Sequence, residues 1–258
     1  MILILGGTSE SRELAILCTQ QSYSVLYTST TDIIDELPQA VERWIGFLSP
    51  EVFENLIRDR CISCVVDATH PFAVEISRQA MDVCSHTKVP YLRLEREALA
   101  DLDRFQHVHH VATVEEAGRP ACATPGKILS TIGVRKLPEL ASQLGKRKDD
   151  LIVRVLPTVD SLATCEELGL HTSQIVAMQG PFSTEFDAML IRTFGVTVMI
   201  VKESGNRGGL TAKIQACKET DCRLLVIGRP FIAYPQQVAT PLQCLLWIEK
   251  HKQRNLNG

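Results

Sequence analysis

The chain has 258 residues, 45% of them hydrophobic and only 5% aromatic, with 27 basic against 30 acidic side chains and a net charge of −3. That length implies one large or two small domains. A pI near 6.2 excludes bulk electrostatic attraction to nucleic acid but leaves room for a local cationic cluster that holds a small anion.

Short apolar runs alternate with amphipathic segments, the pattern of βα units feeding a parallel sheet. With so few aromatics, Leu, Ile, Val and Ala must build the core, as parallel sheets do. In the first half, strands are expected at Met1–Leu5, Ser24–Thr28, Ile62–Asp67, Pro90–Leu94 and His107–Val111. Helices are expected at Ser9–Gln20, where Leu14, Leu17 and Cys18 share a face, at Pro50–Arg60, and at Val74–His86, where Ile76, Ala80, Met81 and Cys84 fall at helical spacing. Ser49 stands as an N-cap before Pro50 at the first helical position. Gly118–Gly126 carries two prolines and two glycines and reads as a break. The domain boundary is placed there, between residues 1–122 and 123–258.

The rhythm then restarts. Strands are expected at Lys127–Thr131, Leu151–Val155, Gln174–Ala177, Val196–Val201 and Arg223–Gly228. Helices are expected at Leu137–Leu144, Asp160–Leu168, Ser183–Phe194, Leu210–Glu219 and Pro241–Lys252. The fold class is α/β, with two halves alike in architecture.

Nine cysteines are scattered singly, and only Cys61 and Cys64 have C-x-x-C spacing, in a run that reads as a buried strand. With no second such pair to complete a zinc site, they are expected to be small core residues in a reducing compartment. His109 and His110 read as exposed residues of an edge strand rather than metal ligands, and no metal is expected. Met1–Leu5 runs into glycines without a basic segment, and no apolar stretch approaches the roughly 18 residues of a membrane span. A cytoplasmic protein, a monomer or weak homo-oligomer, is the expectation.

Ligands of open parallel sheets bind beyond the carboxyl ends of strands, which selects the loops that matter. Gly6-Gly7-Thr8-Ser9-Glu10-Ser11-Arg12 follows the first strand and opens the first helix. Its glycines permit close backbone approach, the helix start offers free N–H groups to a diphosphate, and Thr8 and Ser9 add hydroxyl donors. Arg12 can reach a phosphate or a substrate carboxylate. The spacing is not G-x-G-x-x-G, and a Gly-Gly pair after a strand also serves as a plain tight turn. At the tip of the second strand, Thr28 and Thr30 offer hydroxyls to a 2′-phosphate while Asp32 offers a carboxylate to a ribose; NADPH and NADH both remain open.

Asp67-Ala68-Thr69-His70-Pro71-Phe72-Ala73 ends another strand. His70 can orient substrate or supply a proton, Thr69 can bind cofactor, and Asp67 is a further candidate cofactor ligand. The plainer reading makes Asp67 and Thr69 turn formers. In the second half, Lys202-Glu203-Ser204-Gly205-Asn206-Arg207-Gly208-Gly209 precedes a helix containing Lys213. Three glycines among three cations suit carboxylates or phosphates, although such a loop can also be only a solvated connection.

These pieces together resemble the precorrin-6A reductase family, including its cobalt-precorrin-6A branch. The matching stretches are Gly6-Gly7-Thr8 with Glu10 and Arg12, Asp67 through Ala73, Thr131-Ile132-Gly133, Gln179-Gly180-Pro181-Phe182, Lys202 through Gly209 with Lys213, and Arg229-Pro230. The resemblance implies two Rossmann-like domains with a cleft between them, NADPH or NADH as cofactor, and an anionic tetrapyrrole as substrate. It implies hydride transfer giving precorrin-6B or its cobalt form, in cobalamin biosynthesis. Hydride addition places electron density on the conjugated nitrogens, which a cation such as Lys202 or His70 would stabilise, so these two become the catalytic candidates. Arg12, Pro71, Phe72, Ser204, Gly205, Arg207, Gly208, Gly209 and Lys213 become substrate contacts.

Three other readings stand beside it: a different NAD(P)H-dependent reductase, a nucleotide- or tetrapyrrole-binding protein without catalysis, and a precorrin methyltransferase. The first gives no reason for the Lys202–Lys213 loop, the second would bind cofactor without consuming it, and the third does not need Gly6-Gly7 directly after the first strand.

Overall fold

A computed structural model describes residues 1–30, 37–99 and 102–256; Asp32 lies outside them. The strands are β1 (Ile2–Leu5), β2 (Val25–Ser29), β3 (Glu42–Ile45), β4 (Cys64–Asp67), β5 (Tyr91–Leu94), β6 (Val108–Val111), β7 (Lys127–Ser130), β8 (Leu151–Val155), β9 (Ile175–Ala177), β10 (Val196–Lys202), β11 (Arg223–Ile227) and β12 (Gln237–Val238). The α-helices are α1 (Ser9–Gln20), α2 (Pro50–Asp59), α3 (Val74–Thr87), α4 (Val114–Ala123), α5 (Leu137–Leu144), α6 (Val159–Glu167), α7 (Thr184–Phe194), α8 (Leu210–Glu219) and α9 (Pro241–Leu256).

The strands form two six-stranded sheets, and all their described pairings are parallel. Helices cover both faces, so Ile2–Leu5 and Cys64–Asp67 are buried throughout, and Ile2–Leu5 and Cys64–Val66 read as continuous apolar segments without alternation. In the first sheet, Leu14, Cys18, Leu245 and Ile248 of α1 and α9 pack on one face. Phe53, Leu56, Ala80 and Val83 of α2 and α3 pack on the other. In the second, Ala188, Ile191, Ile214 and Cys217 of α7 and α8 join Met199 and Leu224. Cysteines fill core positions as expected: burial pushes the thiols of Cys18 and Cys244 up to about 12. Cys61 departs from the expected strand, being exposed in a left-handed turn at φ 47°.

The first sheet runs β3-β2-β1-β4-β5-β12 and the second β9-β8-β7-β10-β11-β6. The first follows the doubly wound order 3-2-1-4-5-6; the second repeats that winding around β7 but has β6, which precedes β7 in the chain, at its outer edge, so strand order reverses between β1 and β4 in one and between β7 and β10 in the other.

The chain divides into Met1–Glu97 with Pro230–Gly258, and Ala98–Arg229. This corrects the boundary expected at residues 122/123, which falls inside α4. Gly118 does not break that helix but lets α5 approach: a Cβ there would lie 2.6 Å from Gln143 Cβ. Thr113 caps its start, accepting from Glu116 N at 3.2 Å, and Pro120 costs it only one backbone hydrogen bond. The return of β12 and α9 to the first unit carries no compositional mark. The two other elements absent from the expected set are weak ones. β3 opens with two adjacent charged residues, Glu42 and Arg43, and β12 has two residues.

Candidate functional site

In the first unit the reversal point lies between β1 and β4, and the loops after both strands meet there. Thr8 caps α1: its Oγ1 accepts from Ser11 N at 3.1 Å and donates to Ala68 O at 2.8 Å, tying the two loops together. Ser11 Oγ accepts in return from Thr8 N at 3.0 Å. Gly6 is required by packing, since a Cβ would sit 2.0 Å from Tyr27 Cζ. The Tyr27 hydroxyl accepts from Gly7 N at 2.9 Å and is 2.6 Å from Ser11 Oγ. Gly7 is exposed at φ +110°, and a Cβ there meets nothing within 4 Å.

The turn is therefore built for close approach, but with Gly7 N engaged by Tyr27. Thr8 N and Ser11 N are closed by the cap, leaving the amides of Ser9 and Glu10 to open the helix. Arg12 is half-buried one turn in. Thr28 is buried with its hydroxyl turned back toward Ile4 O at 3.5 Å, whereas Thr30 is exposed.

Asp67 is fully buried. Its Oδ1 accepts from Thr69 N at 3.1 Å, Thr69 Oγ1 at 2.7 Å and Arg93 Nη1 at 2.7 Å, and its Oδ2 from Tyr91 OH at 2.8 Å. Asp67, expected as a cofactor contact, is 0% exposed, and these four bonds brace the loop after β4. Thr69 shares that role and is half-buried. Arg93, 0% exposed, also donates to Thr69 O at 3.0 Å and pairs with Glu95 at 2.6 Å. Burial alone would lower its pKa, but the Asp67 and Glu95 carboxylates outweigh that and raise it. The same burial, reinforced by Asp67, pushes the Tyr91 hydroxyl far above its ordinary value.

On this frame stands the 70–73 turn. Pro71 is buried, Phe72 half-buried, and His70 Nδ1 accepts from Phe72 N at 3.3 Å. An imidazole that accepts at Nδ1 carries its proton on Nε2 when neutral.

In the second unit, the reversal between β7 and β10 brings together the loop after β7 (Thr131–Lys136) and the loop after β10. Lys202 is half-buried at the tip of β10. Burial, then the charges of Lys136 and Arg135, lower its pKa to about 8, opposed by Glu139. Glu203 is buried and locks the next turn: Oε1 accepts from Gly205 N at 2.9 Å and Leu99 N at 3.2 Å, and Oε2 is bonded to Arg229. Ser204 Oγ donates to Gly208 O at 3.2 Å. Gly205 and Gly209 take φ +67° and +76°, the left-handed region where glycine is unstrained.

Lys213 braces the loop from below, its Nζ reaching Gly208 O at 3.3 Å and Gly209 O at 3.4 Å. Burial, then Arg154, lowers its pKa to about 8. Ser204 and Gly205 are buried, Gly208 and Gly209 half-buried, and Arg207 exposed. Sequence reasoning missed Arg93, Glu203 and Tyr27; an arginine inside an apolar strand (Tyr-Leu-Arg-Leu) was the available signal for the first.

A model of the family described as "Precorrin-6x reductase CbiJ/CobK" matches residues 1–249. The cobalt-precorrin-6A reductase of Priestia megaterium is 39% identical over 237 residues, covering 91% of this chain and 92% of that protein. That of Methanocaldococcus jannaschii is 34% identical over 240 residues, again 91% and 92%. A solved structure described as "CobK precorrin-6A reductase" shares the fold at a TM-score of 0.79 and 23% identity, covering 97% of this chain and 96% of that one. Among the described residues, no helix is long and apolar enough to cross a membrane.

Proposed function

The chain belongs to the precorrin-6x reductase family, and we propose that it reduces precorrin-6A, or its cobalt form, to the corresponding precorrin-6B with NADPH or NADH. The observation that carries this reading is the family match over residues 1–249, which spans the loops at both reversal points.

The residues at the first reversal point fit a dinucleotide. Gly7 leaves open space over the turn, Ser9 and Glu10 stand in the first turn of a helix, where amides lack intrahelical acceptors, and strand order reverses at β1 and β4. A bound nicotinamide supplies the hydride. The chain supplies orientation, which removes on the order of 7–11 kcal/mol of barrier in the best intramolecular cases. The Asp67–Arg93–Thr69 frame fixes the turn that presents His70, whose Nε2 proton can be donated to an acceptor on the macrocycle.

In the second unit, Lys202, Lys136 and Arg135 supply positive charge for carboxylates. Lys202 Nζ, poised near pH 8, can hold or release a proton as electron density builds on the conjugated ring nitrogens. Arg207 and the Gly205–Gly209 backbone extend that anion-binding surface, while Lys213 supports it.

The test is a fluorescence titration of NADPH and NADH on the wild type and on Lys202→Ala, followed by turnover. Expected is nucleotide binding within about twofold of wild type (under about 0.4 kcal/mol) with turnover lowered at least tenfold; unchanged turnover removes Lys202 from the mechanism.

A further inference from the structure

We propose that the Glu10 carboxylate holds a hydroxyl of the nicotinamide-side ribose, an assignment that rests on the nicotinamide reading above. Glu10 is the second residue of α1, yet it is only 4% exposed. Its Oε2 accepts from Ser9 Oγ at 2.9 Å. Its Oε1 lies 3.3 Å from Arg96 Nη1, an ion-pair contact without hydrogen-bond geometry, and accepts no hydrogen bond. A buried acceptor left without a donor is costly and calls for a partner from outside the chain.

Glu10 lines a crevice together with Thr8, Thr69, Pro71, Leu94 and Arg96, with room for about one water-sized group. The chemistry of the missing partner follows from the acceptor. A carboxylate only accepts, so phosphate oxygens are excluded and an O–H or N–H is required. The available space favours a hydroxyl over the larger carboxamide.

The location selects which ribose. The crevice opens at the ends of β1, β4 and β5, on the side of the reversal point away from β2 and β3. In a doubly wound sheet the tip of the second strand reads the adenosine ribose, so the β4–β5 side takes the nicotinamide nucleotide. Arg96 offsets the charge of Glu10, which keeps the carboxylate from repelling a diphosphate at the neighbouring amides.

Calorimetric titration of NADPH, reduced nicotinamide mononucleotide and AMP separates the outcomes. It would be run on wild type, Glu10→Ala and Glu10→Gln, with melting temperatures to show that the variants are folded. Glu10→Ala is expected to weaken NADPH and the reduced mononucleotide about ten- to hundredfold while leaving AMP unchanged. Glu10→Gln, which keeps one acceptor oxygen, is expected to lose less. Equal weakening of both half-molecules, or unchanged binding of the reduced mononucleotide, overturns the assignment. Failure of the wild type to bind any of the three overturns the nicotinamide reading and takes this assignment with it.

Discussion

Replacing Asp67 by Asn separates a bracing carboxylate from a ligand-binding one. The substitution keeps size and shape but turns one acceptor oxygen into a donor. Asp67 now receives four hydrogen bonds, from Arg93, Tyr91 and both donors of Thr69. An amide cannot accept on both sides, so either the Tyr91 hydroxyl or the Arg93 guanidinium faces an N–H. Arg93, 0% exposed, would keep only Glu95 as a counter-charge.

Breaking a buried ion pair costs roughly 3–5 kcal/mol. The lost tyrosine bond belongs to the same network and does not simply add, so the expected destabilisation is about 3–5 kcal/mol. Both tryptophans, Trp44 and Trp247, belong to this unit, and their fluorescence in urea follows its unfolding selectively. With a slope of about 1–3 kcal/mol per molar urea, the midpoint should fall by at least about 1 M. An unchanged midpoint accompanied by weaker nucleotide binding would refute the bracing role and return Asp67 to the ligand.

Lys202 gives a pH signature. Its folded pKa, near 8, lies below the ordinary 10.5, so the unfolded chain binds more protons between those values and stability from this group rises with pH across that window. A bound carboxylate should raise the pKa again, so calorimetry at pH near 8.5 in two buffers of different ionisation enthalpy should show proton uptake that Lys202→Met abolishes. Gly6→Ala should destabilise by about 1–3 kcal/mol in thermal melts, because its Cβ would lie 2.0 Å from the Tyr27 ring; retention of the wild-type melting temperature would contradict the packing argument. Glu203→Gln should speed hydrogen exchange at the Gly205 and Leu99 amides, whose acceptor it is, and weaken macrocycle binding more than nucleotide binding.

Much of this architecture was legible because parallel strands buried on both faces must be largely apolar: Ile2–Leu5 is so throughout, Leu151–Val155 but for Arg154, and Val196–Lys202 but for Thr197 and its terminal Lys202. Caps such as Ser49 before Pro50 mark helix starts unaided. What was illegible depends on partners distant in sequence. Gly118 looks like a breaker until Gln143 is seen against it. β12 pairs with β5 across the whole second unit, and two residues cannot advertise that.

The site divides in the same way. The loops were found by their position at strand ends, but the division of labour within them was hidden. Asp67 and Lys213 are spent on bracing their loops, while Glu10, whose place in the helix suggests only a favourable dipole contact, lines the crevice and keeps a buried oxygen that accepts no hydrogen bond.

The central claim is tested most directly by mixing the purified protein anaerobically with precorrin-6A or cobalt-precorrin-6A and either reduced nicotinamide nucleotide. Nucleotide absorbance and the macrocycle spectrum would be followed together. The account predicts that one nucleotide is oxidised for each macrocycle reduced, with the product heavier by two hydrogens in mass spectrometry. Binding of both molecules with no nucleotide oxidised, for either macrocycle and either nucleotide, would contradict it.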